Sequence, residues 1–211
     1  EKKDPFLNEI KLLAKKRSVW ILLGSIIIKD ENSKLYNRSY LISSAGKIVC
    51  KYDKIHMFDV NISKGESYQE SKIFTKGKKI VTTKLPWGRI GMSICYDLRF
   101  PTLYRKLCSN GANMISIPAA FTRPTGKSHW RTLIKARAIE NLSFVFAPAQ
   151  CGINSSTRKT YGHSMIVSPW GEVIAEMKGK PGIILAKIDI SEVSKVRKKI
   201  PSYKRTSIEK K

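Results

Sequence analysis

Apolar residues recur along this chain with two periods, one near that of a helix and one near that of a strand, and the two alternate. Asp4 precedes Pro5 as an N-cap precedes a proline at the first helical position, and Leu7, Ile10, Leu13 and Ala14 then share one helical face. The run Val19 to Ile28 is apolar almost throughout, which predicts a strand covered on both faces. Strands follow at about Tyr36 to Ser43 and Lys47 to Tyr52, joined by a turn at Ala45-Gly46. From Asp53 to Lys79 the pattern is irregular and polar and reads as one long loop, a length that often goes with function. Strands resume at Ile80 to Leu85 and Arg89 to Ile94 around the turn Pro86-Trp87-Gly88. Pro101 opens a helix that ends near Gly111, Met114 to Ile117 is a strand, and a helix runs from about Ser128 to Asn141. Phe144 to Ala147 is a strand, two more flank Pro169-Trp170-Gly171, and a last one spans Ile183 to Ile188. Ser191 caps a final basic helix, broken at Pro201. Strands alternating with helices in one half and hairpins in the other predict an α/β layered domain with a mixed sheet or sheets. No repeat or linker divides the pattern, so one domain over residues 1–211 is expected.

Composition agrees with a folded domain: 211 residues, 42% hydrophobic and 27% charged, hold enough apolar material for a sizeable core. No apolar run approaches the ~18 residues of a membrane-spanning helix. The opening Glu1-Lys2-Lys3-Asp4-Pro5 has no signal-peptide apolar segment, so a cytoplasmic protein without a membrane partner is expected. Charge changes the picture more, because 40 Lys and Arg against 16 Asp and Glu leave a formal net charge of +24. Such an excess suits nucleic acid, and a basic nucleic-acid-binding protein is the rival reading from another class. The cations, however, are spread out, with short runs at Lys2-Lys3, Lys15-Lys16-Arg17, Lys78-Lys79 and Arg197-Lys198-Lys199. No helix-turn-helix, zinc-finger or RNP-like signature accompanies them, so the reading is a solvated basic surface that draws in anionic substrates, with no nucleic acid as partner. Cys50, Cys95, Cys108 and Cys151 form no CxxC pair and no common zinc spacing, so free thiols, two or three of them small buried hydrophobes, and no metal or cofactor are expected.

Among these cysteines Cys95 has the most chemistry open to it. It ends the strand Arg89-Ile90-Gly91-Met92-Ser93-Ile94 and precedes Tyr96-Asp97-Leu98-Arg99-Phe100-Pro101. A strand that turns into a helix presents its last side chain at the sheet's edge, where following N–H groups can receive an oxyanion. A nearby cation would make the thiol a strong nucleophile. Position alone leaves a structural cysteine open, and also a papain-like pairing with His129 or His163. The serine-hydrolase elbow is ruled out, since Gly91-Met92-Ser93-Ile94-Cys95 lacks its closing glycine.

The run Gly91 to Pro101 closely resembles the nucleophile segment of the nitrilase superfamily, carbon–nitrogen hydrolases with a Glu-Lys-Cys triad. Tyr52-Asp53-Lys54-Ile55-His56-Met57-Phe58-Asp59 resembles its lysine motif, and Gln69-Glu70-Ser71 its second-glutamate motif. Pro118-Ala119-Ala120-Phe121, Gly126-Lys127-Ser128-His129-Trp130 and Ala136 to Asn141 resemble family segments beside the pocket. So do Tyr161-Gly162-His163-Ser164 and Ser168-Pro169-Trp170-Gly171-Glu172. The segments occur in order over nearly the whole chain and are most similar to the Nit branch, which includes deaminated glutathione amidase and ω-amidase. Ala149-Gln150-Cys151-Gly152 leans toward the former type.

This resemblance implies an αββα four-layer sandwich that forms a homodimer or higher homo-oligomer. It implies an amidase that takes a small, carboxylate-bearing amide through a cysteine thioester and releases ammonia, with Cys95 as nucleophile. Lys54 would lower the thiol pKa and, with the Tyr96 backbone N–H, stabilise the oxyanion, while Glu70 holds Lys54 charged. Phe121, His129 and Trp130 are expected in the pocket wall and Arg137–Glu140 as a buried pair supporting it. The family's first glutamate, the general base, belongs to an N-terminal strand–helix segment to which nothing here corresponds, and Glu1 does not fit by register. The expectation is therefore an N-terminally truncated chain that alone is poorly stable and nearly inactive, with a catalytically dead scaffold as the alternative.

Overall fold

A computed structural model describes residues 4–63, 66–154 and 158–202, so what was expected of Glu1 and of the Lys2-Lys3 run lies outside the described residues. It comprises two units, Glu1–Val81 and Thr82–Lys211, which are taken in turn.

In the first unit, helix α1 (Pro5–Arg17) begins as predicted, with the Leu7 N–H donating to Asp4 Oδ1 at 2.7 Å. Lys15, Lys16 and Arg17 fill its last turn, where cations meet the negative end of the helix dipole. Strands β1 (Ile21–Lys29), β2 (Leu35–Ile42) and β3 (Ile48–Asp53) form an antiparallel sheet in that order. Leu7 and Ala14 of α1 pack with Ile28, Tyr40 and Ile42 of the sheet. Gly46 in the β2–β3 turn sits at φ +74°, and a Cβ there would lie 2.6 Å from the Lys11 carbonyl oxygen, so turn and helix both require glycine.

Two expectations for this unit are corrected. β1 is not covered on both faces: Ile27 is 64% exposed while Ile28 is buried, because an apolar run does not say how many faces are packed. The stretch read as one long loop contains a hairpin, β4 (Asp59–Ser63) with β5 (Glu66–Gln69), followed by a 3₁₀ turn at Glu70–Lys72. Its strands are short and half polar, so backbone pairing rather than an apolar face defines them.

The second unit is built on β6 (Thr82–Leu85), β7 (Gly88–Met92), helix α2 (Pro101–Ser109), β8 (Met114–Ser116), helix α3 (Arg131–Asn141) and β9 (Phe144–Ala147). The hairpin β10 (Cys151–Ile153) and β11 (Lys159–Tyr161), which the hydrophobic pattern does not mark, precedes β12 (Ser164–Val167) and β13 (Val173–Met177). The main sheet has the order β13-β12-β9-β8-β7-β6, parallel across β7, β8 and β9 and antiparallel elsewhere. Met114, Ile115, Phe144 and Val145 on its central strands are fully enclosed, as continuous apolar runs in a covered parallel sheet should be.

Three boundaries differ from the pattern's prediction. The helical run expected from Ser128 starts at Arg123, passes through a π-helical turn at Gly126–Trp130, and continues as α3. The polar Thr122-Arg123-Pro124-Thr125-Gly126 hides that start, though proline is at home in a first helical turn. Ile183 to Ile188 is not a strand: Ile183 and Leu185 are 83% and 87% exposed, since alternation of apolar and polar residues supplies no pairing partner. The last helix, α4 (Ser191–Lys199), has Ile190 rather than Ser191 at its N-cap, and the Asp189 carboxylate just before it accepts from the Ser191 N–H at 2.9 Å. Arg197 Nη2 of α4 donates to the carbonyls of Ala112 (2.7 Å) and Asn141 (3.2 Å), so it ties α4 to the ends of α2 and α3. All four cysteines are free thiols, but only Cys108 is buried, and that burial pushes its pKa up. Among the described residues no helix is long and apolar enough to cross a membrane.

Candidate active site

The first unit brings two of the expected residues together. Lys54 follows β3 and is 3% exposed; its ammonium is hydrogen-bonded to Glu70 Oε2. The same oxygen accepts the Phe58 N–H at 2.7 Å, and Glu70 Oε1 faces Asn37 Nδ2 at 3.3 Å. The Lys54 N–H in turn donates to the Asn37 carbonyl at 2.9 Å. An ammonium this enclosed needs a carboxylate partner, and the carboxylate is itself aimed by donors on both oxygens. Asn37 was not singled out from the sequence; it lies on β2, 33 positions from Glu70, and only strand pairing brings it there.

In the second unit Cys95 opens a 3₁₀ turn, Cys95–Arg99, directly beyond β7. Its backbone is left-handed, φ +50°, a conformation costing a residue with a Cβ about 1–2 kcal/mol. The Cys95 N–H donates to the Pro118 carbonyl at 2.9 Å, which ties the turn to the chain beyond β8. Tyr96 is next, its ring edge-on to Phe100 at 5.5 Å.

Around this turn the remaining expected residues fall into two groups. Phe121 and Trp130 pack at 4.8 Å between ring centroids, both buried, with the Trp130 indole N–H donating to the His163 carbonyl at 2.8 Å. His129 is exposed, and its Nδ1 lies 3.3 Å from Arg99 Nη2. A guanidinium can only donate, so the acceptor in this contact is the His129 ring. Arg137 is buried: Nε donates to the Leu98 carbonyl at 2.9 Å, Nη1 binds Glu140 at 2.8 Å, and its guanidinium lies 5.2 Å above the Tyr104 ring. That pair therefore holds the far end of the 3₁₀ turn from behind.

Two residues with a stake in the site carried no separate signal in the sequence. Arg99 lies over the rings of Tyr96 (5.8 Å) and Phe121 (5.4 Å), and among the described residues no carboxylate pairs with it. Asp97 is completely buried and accepts the Ile94 N–H at 2.9 Å. Burial, and after it the Asp97 charge, holds the Tyr104 phenol well above its ordinary pKa. Further out, His163 is stacked on Tyr161 at 4.1 Å and lies 3.1 Å from Glu176. Burial alone would raise the Glu176 carboxyl, but hydrogen bonds from His163 and Arg131 hold it below the ordinary range. Among the described residues no three His, Cys, Asp or Glu gather to hold a metal ion.

Comparison with known proteins agrees with this arrangement. The sequence pattern of the family described as carbon-nitrogen hydrolase matches residues 1–198. Deaminated glutathione amidase of Dictyostelium discoideum is 42% identical over 208 residues, covering 96% of this chain and 72% of the relative. The crystal structure of the Caenorhabditis elegans NitFhit protein superposes with a TM-score of 0.89 at 38% identity, over 94% of this chain and 49% of that one. Saccharomyces cerevisiae Nit3, a member of branch 10 of the nitrilase superfamily, superposes with a TM-score of 0.86 at 31% identity, over 96% of this chain and 72% of that one. With the family pattern spanning almost the full length and the nitrilase fold recovered, this chain belongs to the carbon–nitrogen hydrolase family.

Proposed function

We propose that the chain is one carbon–nitrogen hydrolase domain of an amidase that takes small amides carrying a carboxylate, with Cys95 as nucleophile. The observation that carries the reading is the left-handed Cys95 at a strand-to-3₁₀ turn, strain of the kind stored at functional positions. The Cys95 sulfur attacks the amide carbonyl to form a tetrahedral oxyanion; the C–N bond breaks, ammonia leaves, and water hydrolyses the thioester. Lys54, kept charged by Glu70, and the Tyr96 backbone N–H are the groups assigned to the oxyanion. One such preorganised donor is worth about 10²–10³ in rate. This assignment is supported by the buried, carboxylate-bound state of Lys54 and by the resemblance of its segment to the family's lysine motif.

Arg99 supports the carboxylate-bearing substrate. It is a cation beside the nucleophile turn, flanked by aromatic faces and the His129 ring, and such a guanidinium suits a planar carboxylate. Phe121 and Trp130 would line the aliphatic part of the substrate. Incubation with ω-amides of dicarboxylic acids and intact-mass analysis is expected to trap an acyl adduct on Cys95. In Arg99→Gln the KM for such amides should rise by about tenfold or more, against a smaller change for an uncharged amide. An adduct on any other residue, or equal effects on both amides, would sink the reading. The family likeness also carries the expectation of a homodimer or higher homo-oligomer, and a monomer in sedimentation velocity would remove it.

A further inference from the structure

The strained nucleophile raises the question of what holds it. A left-handed conformation at a residue with a Cβ persists only where its surroundings over-determine it. The chain around Cys95 is closed on itself by one side chain. Asp97 Oδ2 accepts the Ile94 N–H at 2.9 Å, and the Asp97 N–H donates back to the Ile94 carbonyl at 3.1 Å. These two bonds join the residue before Cys95 to the residue after Tyr96, so Cys95 and Tyr96 sit inside a small ring whose clasp is a carboxylate. The Asp97 carbonyl accepts the Phe100 N–H at 3.0 Å and so also sets the end of the turn. Asp97 is fully buried. The Arg137 bond to the Leu98 carbonyl then clamps the next residue.

We propose that Asp97 is the positioning residue of the nucleophile: its side-chain acceptor clasps the strand end to the turn and so aims the Cys95 sulfur and the Tyr96 N–H. The proposal rests on Cys95 being the reacting thiol. Asparagine retains a side-chain carbonyl that can accept the Ile94 N–H, whereas alanine removes the clasp.

The test compares Asp97→Asn and Asp97→Ala with the unchanged protein in amide turnover and in alkylation of Cys95 by iodoacetamide, followed by peptide mass spectrometry. In Asp97→Ala we expect kcat to fall by about 100-fold with KM within about threefold, since a displaced nucleophile loses reactivity rather than binding. The Cys95 alkylation rate at fixed pH should fall by about tenfold, and Asp97→Asn should restore both to within about tenfold and threefold of the unchanged protein. A purely structural role would lower the melting temperature of both variants without this split. Folded Asp97→Asn that is as slow as Asp97→Ala, or an Asp97→Ala defect confined to KM, overturns the proposal. If Asp97→Ala does not fold, a 100-fold loss of Cys95 alkylation in folded Asp97→Asn overturns it alone. Alkylation needs no turnover, so a protein without amidase activity would refute the proposed function while the role of Asp97 would still be read from the Cys95 rates.

Discussion

Replacing Lys54 by methionine is expected to lower amide turnover by about 10³-fold, while Glu70→Ala should cost more stability than Lys54→Met does. The asymmetry follows from burial. Lys54 is 3% exposed, and without Glu70 its ammonium would be left in the interior uncompensated, a loss of about 3–5 kcal/mol. Glu70 left without Lys54 keeps the Phe58 N–H and the Asn37 amide, so its loss of partner is softened. The double replacement Lys54→Met with Glu70→Leu should recover much of the stability and none of the activity, because an apolar pair can fill such a site. Urea unfolding reads the stabilities from the midpoint, provided the slope is unchanged. The pH dependence of Cys95 alkylation by iodoacetamide reads the chemistry. A cation favours the thiolate, so its removal should move the half-maximal rate to higher pH. Unchanged turnover in folded Lys54→Met would remove Lys54 from the chemistry, and Glu70→Ala as stable as the unchanged protein would show that the pair is not what holds the ammonium.

The second large effect is expected at Gly126. A Cβ on this residue would stand 2.3 Å from Tyr161 Cβ and 2.4 Å from its Cγ, far inside the ~3.5–4.0 Å of ordinary carbon contact. Tyr161 cannot step aside cheaply. Its N–H donates to the Phe121 carbonyl at 3.0 Å, its ring is stacked on His163, and the neighbouring Thr160 bridges to Thr122. Gly126→Ala must therefore move β11 or the π-helical turn, and with it the Trp130 bond to the His163 carbonyl. The cost belongs at the upper end of overpacking, about 3 kcal/mol, which for a chain of this size lowers the melting temperature by roughly 6–12 °C. Gly179→Ala is the control: its Cβ would meet only the Tyr161 carbonyl oxygen, at 3.7 Å, and should shift stability by less than about 0.5 kcal/mol. Equal melting temperatures for the two variants would show that Tyr161 gives way freely.

Much of the site was legible because its parts are short and local. Asp4 before Pro5, Gly46 in its turn and the strand-to-turn junction at Cys95 are all decided within a few residues, and each stands where the pattern placed it. Lys54 and Glu70 are named by the resemblance of their segments, and their side chains form a close ion pair. Arg99 and Asp97 went unnoticed although the run Gly91 to Pro101 contains them, because nothing local says which member of a motif meets solvent and which is buried.

The sequence by itself determined the family, through an ordered set of short segments, and the places where helices start and turns close, since capping and turn chemistry act over three or four residues. It also supplied the excess positive charge. Tertiary structure alone decided that Asn37 meets Glu70 and that Arg197 joins the ends of two other helices. It decided too that Ile183 and Leu185 stay exposed in a segment that is not a strand. Those outcomes depend on pairing and packing between residues far apart in the chain, where side-chain periodicity fixes a conformation but not the partner it will meet.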